Sequence, residues 1–193
     1  MASLGDLMEL LGPPPVRDAS ADDWHEVEHY VGSSLPGDFK SFLDAYGTGT
    51  ICGELVVFHP RGTSPLLERM RSIHESFGTS WRGDPGEYPF RFHPTPGGLV
   101  SWGYDHFGDE HFFWPCVPEP DRWKIVTNRN GADPEVFDGS FTDFVLAFVE
   151  RLRDVDPYHG IDPDALEFLE PEDLDELVER GEIGPVEPSF EPF

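Results

Sequence analysis

Residues 35–60 read LPGDFKSFLDAYGTGTICGELVVFHP. Pro36 suits the first turn of a helix, where a missing N–H leaves nothing unpaired. Phe39, Phe42, Leu43 and Tyr46 then recur at i, i+3, i+4 and i+7, a single apolar stripe that must face a core. Gly47 ends the helix, and Gly47 with Gly49 lets the backbone reverse through positive φ. Ile51 to Phe58 is rich in β-branched and apolar residues and closes at Pro60, which predicts one buried strand. The stretch therefore reads as helix, tight turn and strand, and the flanking segments must pack on it.

Towards the N-terminus, residues 3–11 form an amphipathic helix with Ser3 as cap and Asp6 placed to complete a capping box. A second helix runs from a Ser20 cap through Trp24, Val27 and Val31 to Gly32. Towards the C-terminus, Ser64-Pro65 opens a helix with Leu66, Met70, Ile73 and Phe77 on its inner face, and Gly78 to Gly98 reads as an irregular loop. From Leu99 to Phe137 an antiparallel meander is expected. Its strands are Leu99 to Tyr104, His111 to Cys116, Trp123 to Arg129 and Glu135 to Phe137, with an Asn130-Gly131 hairpin turn. Ser140 and Asp143 then cap a helix that carries Phe141, Phe144, Val145, Phe148, Val149 and Leu152 on one face.

This order of motifs resembles the SUKH superfamily, which includes bacterial immunity proteins and fungal cell-wall regulators. The resemblance rests on Leu35-Pro36, the Phe42-Leu43 pair, Tyr46-Gly47-x-Gly49, the glycine-bearing strand ending at Pro60, and Leu99 to Gly103 followed by Asp105. Gly108-Asp109 before the next strand, Trp123 to Thr127 and the helix at Ser140 complete it, so it spans roughly residues 20–152. The fold class expected from pattern and resemblance together is α+β: a mainly antiparallel sheet of five or six strands with helices packed on one side. Residues 1–153 form that domain, with the 3–11 helix as an extension of its core. Residues 154–193 hold fourteen acids against one base, Arg180, a net −13, and read as an acidic extension with a helix near 171–180 and an extended proline-containing end.

The whole chain carries 38 acids and 13 bases, a formal charge of −25, which repels phosphate backbones and anionic lipid and attracts basic partners. Direct nucleic-acid binding is therefore not expected. No run approaches the ~18 apolar residues of a membrane span, and no secretory leader is recognisable, so a cytoplasmic location is expected. Cys52 and Cys116 lie in apolar strands and are expected to be small buried side chains rather than ligands or a disulfide.

Two clusters could carry chemistry. His25-Glu26-Val27-Glu28-His29 is a literal H-E-x-x-H, which on a helix places two imidazoles on one face for zinc with the glutamate as base. The same helical spacing turns both histidines away from Trp24, Val27 and Val31, towards solvent, and no third ligand is assigned. Asp105, His106, Asp109, Glu110 and His111 are dense enough for a divalent ion, yet Asp and Gly are also what a hairpin turn uses. No nucleophile elbow, P-loop or dinucleotide fingerprint is present. No catalytic residue, metal or cofactor is expected. The resemblance implies an immunity protein that occludes a toxin, often a nuclease and hence basic, through an acidic, aromatic-bearing surface. Glu54, Trp102, Asp105, Asp109 and Glu110 are its expected contacts. A regulatory scaffold that binds a cellular partner and, more remotely, a zinc hydrolase built on His25 and His29 are the alternatives.

Overall fold

The computed structural model describes residues 2–15, 21–62, 64–83, 88–129, 133–154 and 166–171. Helix α1 (Leu4–Leu11) opens on the expected capping box, Ser3 and Asp6 each accepting the other's backbone N–H, and buries Leu7 and Leu11. A 3-10 turn at Ala21–Trp24 leads into α2 (His25–Val31), which Gly32 stops at φ 78°. The expected Ser20 cap lies outside the described residues. Helix α3 (Gly37–Tyr46) has Pro36 as its N-cap, Gly47 past its end and the whole stripe of Phe39, Phe42, Leu43 and Tyr46 buried.

The next segment departs from expectation. Ile51 to Phe58 is not one strand: β1 (Gly49–Ile51) pairs antiparallel with β2 (Leu55–Val57), Ile51 opposite Leu55. The turn passes through Cys52 at φ 52° and Gly53 at φ 69° and is closed by the Glu54 N–H on the Ile51 carbonyl at 3.0 Å. A non-glycine residue in the left-handed region is uncommon. Gly53-Glu54 is the sequence mark of the reversal, set between the buried Ile51 and Leu55 of the two arms.

Helix α4 (Leu66–Gly83) also outruns its expected stop at Gly78. A glycine inside a helix costs roughly 1 kcal/mol relative to alanine, which packing on the sheet can offset. The meander follows as β3 (Val100–Asp105), β4 (Glu110–Trp114), β5 (Lys124–Asn128) and β6 (Glu135–Phe137); the Asn130-Gly131 turn lies outside the described residues. Pro115 ends β4 early, so Cys116, expected to be buried in it, is exposed, whereas Cys52 is buried. Helix α5 (Phe141–Asp154) begins on the Ser140–Asp143 box. The acidic extension then contributes an unexpected strand, β7 (Phe168–Leu169). Its expected 171–180 helix falls almost wholly outside the described residues.

Among the described residues the seven strands pair antiparallel, in the order β6-β5-β4-β3-β2-β1-β7. The α+β class with an antiparallel sheet is thus as expected, with seven strands among the described residues in place of five or six. The helices occupy both faces of the sheet. Helices α1, α3 and α5 pack on Val100, Trp102, Phe113 and Ile125, while Ile73 and Phe77 of α4 pack with Phe92, Leu99, Phe112 and Val126 on the other side. Adjacent strand residues point to opposite faces, so burying both Phe112 and Phe113 demands cover on each. Among the described residues no helix is long and apolar enough to cross a membrane.

Phe39 ties the first layer together, its ring centroid lying 5.9 Å from Trp24, 6.1 Å from Trp102, 5.1 Å from Phe113 and 5.0 Å from Phe141. Phe39→Ala is expected to destabilise the fold by about 3–5 kcal/mol. Urea denaturation measures this, and a loss below about 1 kcal/mol would show that Phe39 does not hold the layers together.

Candidate functional site

The β3–β4 turn gathers most of the ionisable residues that the sequence singles out, and the structure arranges them around one carboxylate. Asp105, the last residue of β3, is fully buried. Its Oδ1 accepts the backbone N–H groups of Phe107 at 3.0 Å and Asp109 at 3.1 Å, which fixes the turn. Its Oδ2 lies 3.2 Å from His111 Nε2, and His111 Nδ1 lies 3.1 Å from the Thr127 hydroxyl on β5. Trp102, the extra residue of a β-bulge between Ser101 and Gly103, stacks on the His111 ring at 5.2 Å.

The order acid, imidazole, hydroxyl is that of a nucleophilic triad. Here it is buried: Asp105 and His111 have no exposed surface, and Thr127 is 6% exposed. Thr127 lines a cavity of about 210 Å³ with Glu135, Phe137, Phe144 and Arg151, while the acid and the imidazole behind it are sealed. The chain of hydrogen bonds instead locks the turn to the sheet. The sequence signal that could have located it is the spacing of Asp105, His111 and Thr127 on three successive strands.

On the other face of the sheet the Arg69 guanidinium of α4 meets Glu110 and lies over the Tyr104 ring at 4.5 Å and the Phe58 ring at 5.4 Å. Burial pushes the Glu110 carboxyl up to about 7; Arg69 pulls it down and Asp105 adds to the rise, so burial prevails. Glu110 Oε2 has no hydrogen-bond partner, in keeping with a carboxyl that is costly to ionise there. Glu54, beside the β1–β2 turn, is half-buried and also pushed up to about 7, first by burial and then by the Asp105 carboxylate. Its backbone carbonyl accepts the His106 N–H at 3.1 Å, which joins the two turns.

Of the five expected contacts, the structure therefore withdraws three from the surface. Trp102, Asp105 and Glu110 are 0%, 0% and 4% exposed and have no face to offer a partner. They frame the turn. Glu54 and Asp109 remain half-buried, and the residue the expectation left out of its contacts is Phe107, 41% exposed at the tip. A cavity of about 250 Å³ lined by Phe107, Asp109, Arg129, Arg151 and Leu152 flanks it, so this rim mixes charges. His25 and His29 are both exposed on α2, their rings stacked 6.4 Å apart. Among the described residues no group of three metal-ligating side chains is assembled.

A second polar cluster, on α2 and α4, was not anticipated. His74 Nε2 accepts the Ser101 N–H at 2.9 Å, so the neutral ring donates from Nδ1 to the Tyr30 oxygen at 3.0 Å. Burial, aided by His93, pushes His74 down to about 3. His93 lines a cavity of about 590 Å³ together with Val31, Val100, Cys116 and Trp123.

Residues 21–145 match the protein-family model SUKH_6, SMI1-KNR4 cell-wall. Among curated proteins none matches the chain.

Because the Glu110 carboxyl rises from 4.5 to about 7 on folding, the folded state keeps a proton that the unfolded chain releases. Its contribution to stability is therefore lost as pH climbs from about 4.5 to 7. His74 acts in the opposite sense between about 3 and 6.5 but is common to both proteins compared. Glu110→Gln is expected to lose less stability than the wild type between pH 5 and pH 7.5, read as urea midpoints. Parallel pH profiles would show that Glu110 does not titrate in this way.

Proposed function

The chain belongs to the SUKH superfamily, and we propose that it is a non-enzymatic immunity-type protein that binds and neutralises a basic, nuclease-like toxin. Family membership supports protein binding as the general role. The observation that carries the finer reading is the charge: 38 acids against 13 bases over the whole chain. A nuclease must hold phosphates and presents a basic cleft, so an acidic inhibitor gains association rate by imitating the charge of the substrate. Neutralisation of this kind needs shape, potential and a few anchors, with no reacting group.

The contact set follows from what is accessible. Phe107 at the tip of the β3–β4 turn is the apolar anchor, with Asp109 and Glu54 beside the two joined turns. Their rigidity comes from the buried Asp105 network, which fixes the turn before any partner arrives. The "cell-wall" description of the family model favours a second reading, a regulatory scaffold for a cellular partner.

Reading the neighbouring open reading frame, and co-expressing any basic nuclease domain it encodes with this protein, tests both readings. A tight one-to-one complex with a basic nuclease is expected, with an association rate that falls at least about tenfold between 50 mM and 500 mM salt. Phe107→Ala is expected to raise the dissociation rate about tenfold, the size of a modest anchor. No complex with that domain, and capture of a cell-wall regulator instead, would select the scaffold reading.

A further inference from the structure

The outer edge of β1 is filled by the chain's own acidic extension. Strand β7 lies beyond the family-matched region and joins the sheet antiparallel to β1, Thr50 opposite Leu169 and Ile51 opposite Phe168. The Cys52 N–H, on the residue at left-handed φ, donates to the Glu167 carbonyl at 2.8 Å. The Phe168 ring settles 5.1 Å from Tyr46 and 6.0 Å from Phe42, on the stripe of α3, and Leu166 packs on the same core. Space for this ring depends on Gly49: a Cβ there would sit 2.4 Å from both the Leu169 carbonyl oxygen and the Phe168 ring.

Two features make this a site and not merely a seam. The receptor is complete without the strand: β1 is held by β2, the aromatic stripe by α3, and the clearance by Gly49. The occupant is short, two paired residues with both side chains only half-buried, so it belongs to the least stable part of the fold, which opens without global unfolding. An exposed edge with an adjoining pocket is the receptor half of β-strand addition, in which main-chain bonds give affinity and one pocket gives specificity.

We infer that the β1 edge is an exchangeable strand-acceptor site, filled in cis by Leu166–Leu169 and open, when that segment releases, to an extended partner segment with a phenylalanine at its centre. The acidic extension is then a self-inhibitor of this surface. Tethering keeps its effective concentration high, so a free segment competes poorly until the cis strand is weakened. The site is separate from the β3–β4 turn and does not depend on the toxin reading.

The test uses the full chain and a fluorescein-labelled peptide of residues 165–171, ALEFLEP. Phe168→Ala, which empties the pocket, is expected to bind the peptide at least about tenfold more tightly than the wild type by fluorescence anisotropy. Adding Gly49→Val to Phe168→Ala should abolish binding, as should replacing the peptide's phenylalanine with alanine. Equal binding to wild type and Phe168→Ala, or none to either, overturns the proposal. If Phe168→Ala fails to fold, amide exchange of the wild type decides. The Cys52 amide should exchange at least about tenfold faster than the amides pairing β3 with β4, and equal protection overturns local release.

Discussion

The structure depends on one contact surface, the aromatic stripe of α3 pressed against the bulged strand β3 and the helix α5. Phe39 touches rings from α3's neighbours on every side, Trp24 before α2, Trp102 and Phe113 on the sheet and Phe141 at the start of α5. Phe42 and Tyr46 extend the same surface to Phe168. Bulky aromatics bury large areas each, which lets a chain of modest apolar content build a dense centre. The surface outside that centre is left free to carry charge.

The second constraint is the set of ionisable groups that the fold buries. Asp105 spends its two oxygens on the turn backbone and on His111, and Glu110 faces Arg69 across the opposite face of the sheet. Groups like these would be active-site candidates by their perturbed environment alone. Asp105 fixes the turn backbone, whereas Glu110 meets the Arg69 guanidinium, and both are buried. The surface beside these groups is the exposed tip at Phe107, with Asp109 and Glu54 behind it.

The β1–β2 hairpin links the two halves of this account. Its turn residue Glu54 is bonded to the β3–β4 turn through His106, and its outer edge carries β7. A change at one side of the hairpin therefore has a short covalent path to the other.

By itself the sequence determined the helices with strong periodicity and clear caps: Ser3 with Asp6, the α3 stripe between Pro36 and Gly47, and Ser140 with Asp143. It also determined the antiparallel order of the meander and the superfamily, because helical and strand periods and cap chemistry are local and survive in a linear reading. Tertiary structure alone decided the hairpin in Ile51 to Phe58, the run of α4 through Gly78, the placement of α4 on the second face, and β7. It alone removed Trp102, Asp105 and Glu110 from the surface and left Phe107 there. In each case the deciding term is burial against residues distant in the chain. That term overrides propensity at Cys52 and Gly78 and cannot be read from residue type, since the same aspartate serves as well in an exposed turn as beneath one.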